Sequence, residues 1–133
     1  MLNARGSRKL RVLIVDDYPV ARRIFITELK PYGVETFEAG DAAEALAIAN
    51  EHQPDVVVLD LFLTGSSGLE VARELRARRG GDRIVIIALS GHGGEEYRER
   101  AAEAGCDRYL VKPCNTDQLV EAIEAVLPAR SAA

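Results

Sequence analysis

Five side chains, spread over most of the chain, are of types that handle metals and phosphates. Asp16 and Asp17 stand together in VLIVDDYPVAR (Val12–Arg22), Asp60 follows VVVL, Ser90 follows IVIIAL, and Lys112 follows RYLV. Adjacent carboxylates behind an apolar run repel each other and lose hydration, so they need either a helix to cap or a cation between them. An all-oxygen set without His or Cys suits a hard cation such as Mg²⁺, which takes a few carboxylates and keeps waters for a phosphate. Lys112 offers a point charge for phosphate, and the Ser90 hydroxyl can donate to a phosphoryl oxygen.

These residues converge only if the elements before them lie side by side. The runs RVLIV (11–15), VETFEA (34–39), DVVVL (55–59), IVIIAL (84–89) and RYLV (108–111) alternate with longer amphipathic stretches. Three of the runs are almost unbroken and mostly β-branched, the pattern of strands covered on both faces in a parallel sheet. Pro19 suits a first helical turn and Gly33 its stop, with Ile24, Phe25 and Leu29 as the apolar stripe between. Asp41 and Glu44 form a capping pair ahead of Ala42, Ala45, Leu46 and Ala49. Leu69, Ala72 and Leu75 mark a third helix, Tyr97, Ala101 and Ala104 a weaker fourth, and Leu119, Ile123 and Val126–Leu127 the last. Five strands alternating with five helices predict an α/β, doubly wound, five-stranded parallel sheet. Such a sheet places its binding crevice at the carboxyl ends of the strands, where the five chemical residues sit.

With 133 residues, 47% hydrophobic and 29% charged, the chain is one globular domain with enough core to fold unaided. The expected domain covers 9–128, with flexible tails at 1–8 and 129–133. Apolar runs of six residues or fewer exclude a membrane span, and no secretion signal opens the chain, so the cytoplasm is the expected setting. A net charge of −4 gives no global attraction to nucleic acid. The arginines at 73, 76, 78, 79 and 83 read as a solvated helix end favoured by the helix dipole. Cys106 and Cys114 have neither CxxC nor metal-ligand spacing and are expected to be packing thiols.

Asp60 lies 43 residues after Asp17, Ser90 lies 30 after Asp60, and Lys112 lies 22 after Ser90. With DD, LDL, ALSG and LVKP each at a strand end, the chain resembles the response-regulator receiver domains of two-component signalling, including single-domain chemotaxis regulators. The resemblance covers nearly the whole chain and implies the flavodoxin-like strand order 2-1-3-4-5. It implies that Asp60 accepts a phosphoryl group from a phosphohistidine on a sensor histidine kinase or histidine phosphotransfer protein. It further implies Mg²⁺ held by Asp16, Asp17, Asp60 and the Phe62 backbone carbonyl, with Lys112 balancing charge. Ser90 and Tyr109 would be the switch residues, and Pro113 would follow a cis peptide. On this reading the chain is no turnover enzyme and catalyses only its own phosphorylation. Its output would go to a downstream protein target, with no membrane and no direct nucleic-acid contact expected.

Two features depart from the family pattern. The loop LFLTGSSGLE carries Thr64 and Ser67 where a proline and an acid are common, and is expected to be looser, although Gly68 is kept. Cys114 replaces a larger hydrophobe after Lys-Pro. Phe62 and His92 are bulky neighbours of the expected phosphorylation site, and should restrict water there. One rival is a haloacid-dehalogenase-like phosphatase, which VVLDLFLTG and VIIALSG resemble. That chemistry needs a second Asp two residues after the nucleophile, where this chain has Phe62, and an acidic pair late in the chain rather than first. The other is a receiver-like binding module that is never phosphorylated, which leaves the full set of chemical residues unexplained. A stand-alone messenger, a phosphorelay intermediate and a hybrid-kinase receiver share this pattern.

Overall fold

The computed structural model describes Leu2 and residues 8–131. Its main elements are β1 (Arg11–Val15), α1 (Pro19–Leu29), β2 (Glu35–Ala39), α2 (Ala42–His52), β3 (Val56–Asp60), α3 (Gly68–Ala77), β4 (Val85–Ser90), α4 (Glu95–Glu103), β5 (Arg108–Val111) and α5 (Thr116–Ser131). The five strands form one sheet in the order β2-β1-β3-β4-β5, every pair parallel. This is the doubly wound, flavodoxin-like arrangement expected from the sequence.

The β-branched runs explain the centre of the sheet. Every residue of β3 and β4 is buried, whereas the edge strands β2 and β5 are only partly covered and carry more polar side chains. Alternate residues feed two cores. Val12, Ile14, Val56, Val58, Val85 and Ile87 pack under α1 and α5. Leu13, Val15, Val57, Leu59, Ile86 and Ala88 pack under α2, α3 and α4.

The helices begin and end for local reasons. Asp41 accepts a hydrogen bond from the Glu44 amide (2.8 Å), and the Glu44 carboxylate accepts one from the Gly40 amide (3.0 Å), so α2 starts with a reciprocal cap. Gly33 closes the short 3₁₀ turn after α1 with φ of 74°. The apolar stripe of α1 keeps the expected Leu29 and the partly buried Phe25 but takes Ile26 in place of Ile24, which is 52% exposed. Its phase is set by packing against α5, where Leu119 and Ile123 are fully buried.

The expected tails fall mainly outside the described residues. Within them, Leu2 is buried, Arg8 forks onto Asp55, and Ala129–Ser131 belong to α5, which continues through Pro128. Arg130 near that end donates to Asp107 (2.6 and 2.9 Å), which also accepts from Arg76 (2.8 Å) and the Ile86 amide (2.9 Å). Arg76 is therefore an internal tie between α3, β4 and α5, not part of a solvated helix end. Its guanidinium also donates to the carbonyls of Gly81, Ile84 and Gly105. Removing one partner of such a half-buried pair costs about 3–5 kcal/mol, because the other charge is stranded. No helix among the described residues is long and apolar enough to cross a membrane.

Candidate functional site

Three strands end in the same device. Asp16 Oδ1 accepts a hydrogen bond from the Tyr18 amide (2.9 Å), Asp60 Oδ1 from the Phe62 amide (2.9 Å), and Ser90 Oγ from the His92 amide (3.0 Å). Each side chain captures the backbone N–H two residues on, a turn that Asp and Ser make readily. The chain thus leaves the sheet immediately after each strand with its polar side chain pinned at the rim. Pro19 then opens α1 and turns the backbone away from Asp16 and Asp17.

Parallel register brings these ends together. Carboxylate oxygens of Asp16, Asp17 and Asp60 lie within 4.8 Å of one another. The Lys112 ammonium, at the end of β5, is 2.9 Å from Asp60 Oδ2 and 3.5 Å from Asp16 Oδ2. Backbone pairing of the Lys112 amide with the Ser90 carbonyl (2.7 Å) ties the ends of β4 and β5. The Lys112–Pro113 peptide is cis. Ser90 is completely buried at the end of β4, its hydroxyl engaged by the His92 amide.

The acids are not equivalent. Asp16 and Asp60 are buried, whereas Asp17 is only partly covered. Burial raises the Asp16 carboxyl above its ordinary range, against the opposing Tyr18 amide and Lys112. The Thr64 hydroxyl lowers that of Asp17, with help from the Thr64 amide (3.0 Å). Burial works against the charge on Lys112, but the hydrogen bond and charge of Asp60, joined by Asp16, outweigh it and raise its pKa.

Thr64 was not singled out as a site residue by its sequence. It reaches Asp17 because the loop after Asp60 is not loose: Phe62–Leu63 and Ser66–Ser67 pair as a small antiparallel hairpin. Gly68 allows that hairpin to close against the strand. A β-carbon there would lie 2.4 Å from the Asp60 carbonyl oxygen and 2.6 Å from the Leu61 α-carbon, inside any tolerable contact.

An aromatic group stands beside the acids. The His92 ring lies 4.7 Å from Phe62 and 4.7 Å from Tyr97, and Phe62 and Tyr97 meet edge-on at 5.4 Å. The Tyr109 hydroxyl donates to the His92 carbonyl, and the Arg98 guanidinium sits 5.0 Å over the Tyr109 ring. His92 therefore connects Ser90, Tyr109, Phe62 and Tyr97. Sequence placed it near the pocket mouth but carried no sign of this contact set.

The donor set fits a hard divalent cation: carboxylates only, two of them buried, with a neighbouring ammonium positioned for an anion. The response regulator receiver domain family matches residues 12–124. The chain is 36% identical over 116 residues to the phosphate regulon transcriptional regulatory protein PhoB of Pseudomonas aeruginosa, covering 87% of this chain and 51% of that protein. It thus spans about half the length of the curated relatives it matches first. It is 32% identical to the polar-differentiation response regulator DivK of Brucella ovis, covering 87% of this chain and 94% of that one. A response regulator structure from Burkholderia pseudomallei, with a phosphorylated aspartic acid, calcium ion and citrate, superposes with a TM-score of 0.82 at 25% identity, covering 93% of this chain and 72% of that one. By the family match, by these relatives and by its fold, the chain belongs to the response-regulator receiver domain family.

Proposed function

We propose that Asp60 is a phosphoacceptor, charged by a phosphohistidine on a sensor histidine kinase or histidine phosphotransfer protein. One carboxylate oxygen attacks phosphorus, the P–N bond breaks, and its electron pair leaves on the imidazole nitrogen, giving an aspartyl phosphate. The observation that carries this reading is the Lys112 ammonium 2.9 Å from Asp60, inside a cluster of three carboxylates.

Asp16, Asp17, Asp60 and the Phe62 carbonyl are the proposed holders of Mg²⁺. The bound ion would supply positive charge for the phosphoryl oxygens, and the calcium in the Burkholderia structure is another oxygen-seeking divalent cation. In a largely dissociative transfer the protein's work is mostly positioning and charge balance. Lys112 balances charge on the incoming group. The Tyr18 and Phe62 amides hold Asp16 and Asp60 in place. Thr64 holds Asp17. No second carboxylate stands two residues after Asp60, so the site lacks the proton carrier of a turnover phosphatase.

The new phosphate adds roughly −1.5 to −2 charge, enough to bias a two-state element. Ser90 would give up its bond from the His92 amide to meet a phosphoryl oxygen, and Tyr109, held at the His92 carbonyl, would follow. This change would carry the signal, in the cytoplasm, to a downstream protein. The expectation of no nucleic-acid contact has no support in a chain that spans half of a transcriptional regulator.

Incubation with Mg²⁺ and a small acyl phosphate donor tests this reading by intact mass. One added phosphoryl group is expected. Steady phosphate release with rapid turnover would favour a phosphatase, and no adduct would favour the phosphorylation-independent binding module.

A further inference from the structure

The arginines around the end of α3 have separate fates. Arg73 pairs with Glu70 on its own helix, and Arg76 is tied into the interior through Asp107. Arg78 donates to the Leu46 carbonyl of α2 (3.2 Å). Arg79 and Arg83 are exposed, and their side chains have no acceptor among the described residues. Helix-end neutralisation does not account for them: at the end of α3 the Leu75 carbonyl accepts from the Arg78 amide (3.4 Å), and among the described residues no α3 carbonyl accepts from the Arg79 or Arg83 side chain.

Arg79 and Arg83 line a cavity of about 910 Å³ together with Arg78 and Arg8. It lies where β3 and β4 begin, at the opposite end of β3 from Asp60. Among the described residues Asp55 is the one carboxylate on its wall, and the Arg8 fork (2.8 and 2.9 Å) and the Arg11 amide (2.8 Å) already engage it. Four arginines thus line a wall whose carboxylate is already engaged, in a chain that is acidic overall. The remaining wall combines the apolar surfaces of Pro54 and Ile84 with the amides of Asn50 and Gln53. Its size is that of small-molecule sites, roughly 300–1,000 Å³.

We propose that this cavity binds a small anion carrying several phosphate groups. Planar guanidinium forks match phosphate oxygens two at a time, and two arginines with no internal acceptor can turn toward such a ligand without breaking a bond. Nucleotides and inorganic polyphosphates share this chemistry, and the experiment separates them. The site is independent of the reading of Asp60.

The test is calorimetric titration of the full chain with ATP, inorganic triphosphate and adenosine in metal-free buffer at low salt. Arg79→Gln/Arg83→Gln is the test variant, and Arg73→Gln the control outside the cavity. Both alter exposed side chains, and circular dichroism checks their folding. The expected result is binding of a triphosphate-bearing ligand, weakened at least tenfold in the double variant and less than twofold in the control. ATP binding tighter than inorganic triphosphate assigns a nucleotide, and the reverse order assigns inorganic polyphosphate. No binding of either at millimolar concentration, or equal losses in the control and double variants, overturns the proposal.

Discussion

The Lys112 ammonium bridges Asp60 at 2.9 Å and Asp16 at 3.5 Å, so one cation from the end of β5 holds acids from the ends of β3 and β1. Asp17, less than 4.8 Å from both acids, has Thr64 as its hydrogen-bond partner instead. Three carboxylates share one ammonium, an imbalance that a divalent cation would relieve.

Mg²⁺ is therefore expected to raise the melting temperature by mass action, with about 2.7 kcal/mol of stabilisation at a hundredfold excess over its dissociation constant. Asp17→Asn should remove most of that response. Asp16→Asn should also weaken it while stabilising the metal-free protein, since an uncharged amide avoids the burial that opposes the Asp16 charge. Thermal melts with and without millimolar Mg²⁺ check both. A wild-type melting temperature indifferent to Mg²⁺ contradicts the proposed ligand set.

The outer face of α1 borders the acid site. Val20 and Ile24 are more than half exposed, and with Pro19 and Thr27 they line a shallow apolar depression. A protein phosphodonor that reaches Asp60 would meet this surface. Ile24→Glu should slow phosphotransfer from a protein donor at least tenfold while leaving labelling by a small acyl phosphate within twofold. Equal slowing with both donors would rule out docking there.

Phe62 and His92, in mutual ring contact beside Asp60, are expected to limit water access to an aspartyl phosphate. Phe62→Ala and His92→Ala should each shorten its half-life several-fold, followed as loss of the phosphorylated mass after donor removal. An unchanged or longer half-life in both variants sinks this role.

Cys106 is a separate probe of packing. Burial raises its thiol to about 12, with Arg76 pulling the other way and Asp107 adding to the rise. The folded-state pKa is the higher, so this contribution to stability is intact below the unfolded thiol's pKa. It declines as pH climbs through the window up to about 12, by about 1.4 kcal/mol per pH unit. Denaturant melts of wild type and Cys106→Ala should converge across this alkaline range. A constant difference between them would show that the thiol does not stay neutral.

The strands were readable because a parallel sheet covered on both faces demands long β-branched runs, as Val56–Leu59 and Val85–Ile87 supply. Strand-end logic then brought Asp16, Asp17, Asp60 and Lys112 together from three distant segments. What escaped the sequence depends on tertiary closure. Ile24, Phe25 and Ile26 are consecutive apolar residues, and only packing against α5 selects Ile26 for the core. The Thr64–Asp17 bond requires the Phe62–Ser67 hairpin. Arg76 resembled its solvated neighbours until α5 and the loop before β5 brought Arg130 and Asp107 to it.

Phosphorylation by a small acyl phosphate donor, mapped by peptide mass spectrometry in wild type, Asp60→Asn and Lys112→Ala, tests the central claim most directly. The account predicts one Mg²⁺-dependent phosphoryl group on Asp60, none in Asp60→Asn, and at least tenfold slower labelling in Lys112→Ala. An unlabelled wild type, or label persisting at another residue in Asp60→Asn, would contradict it.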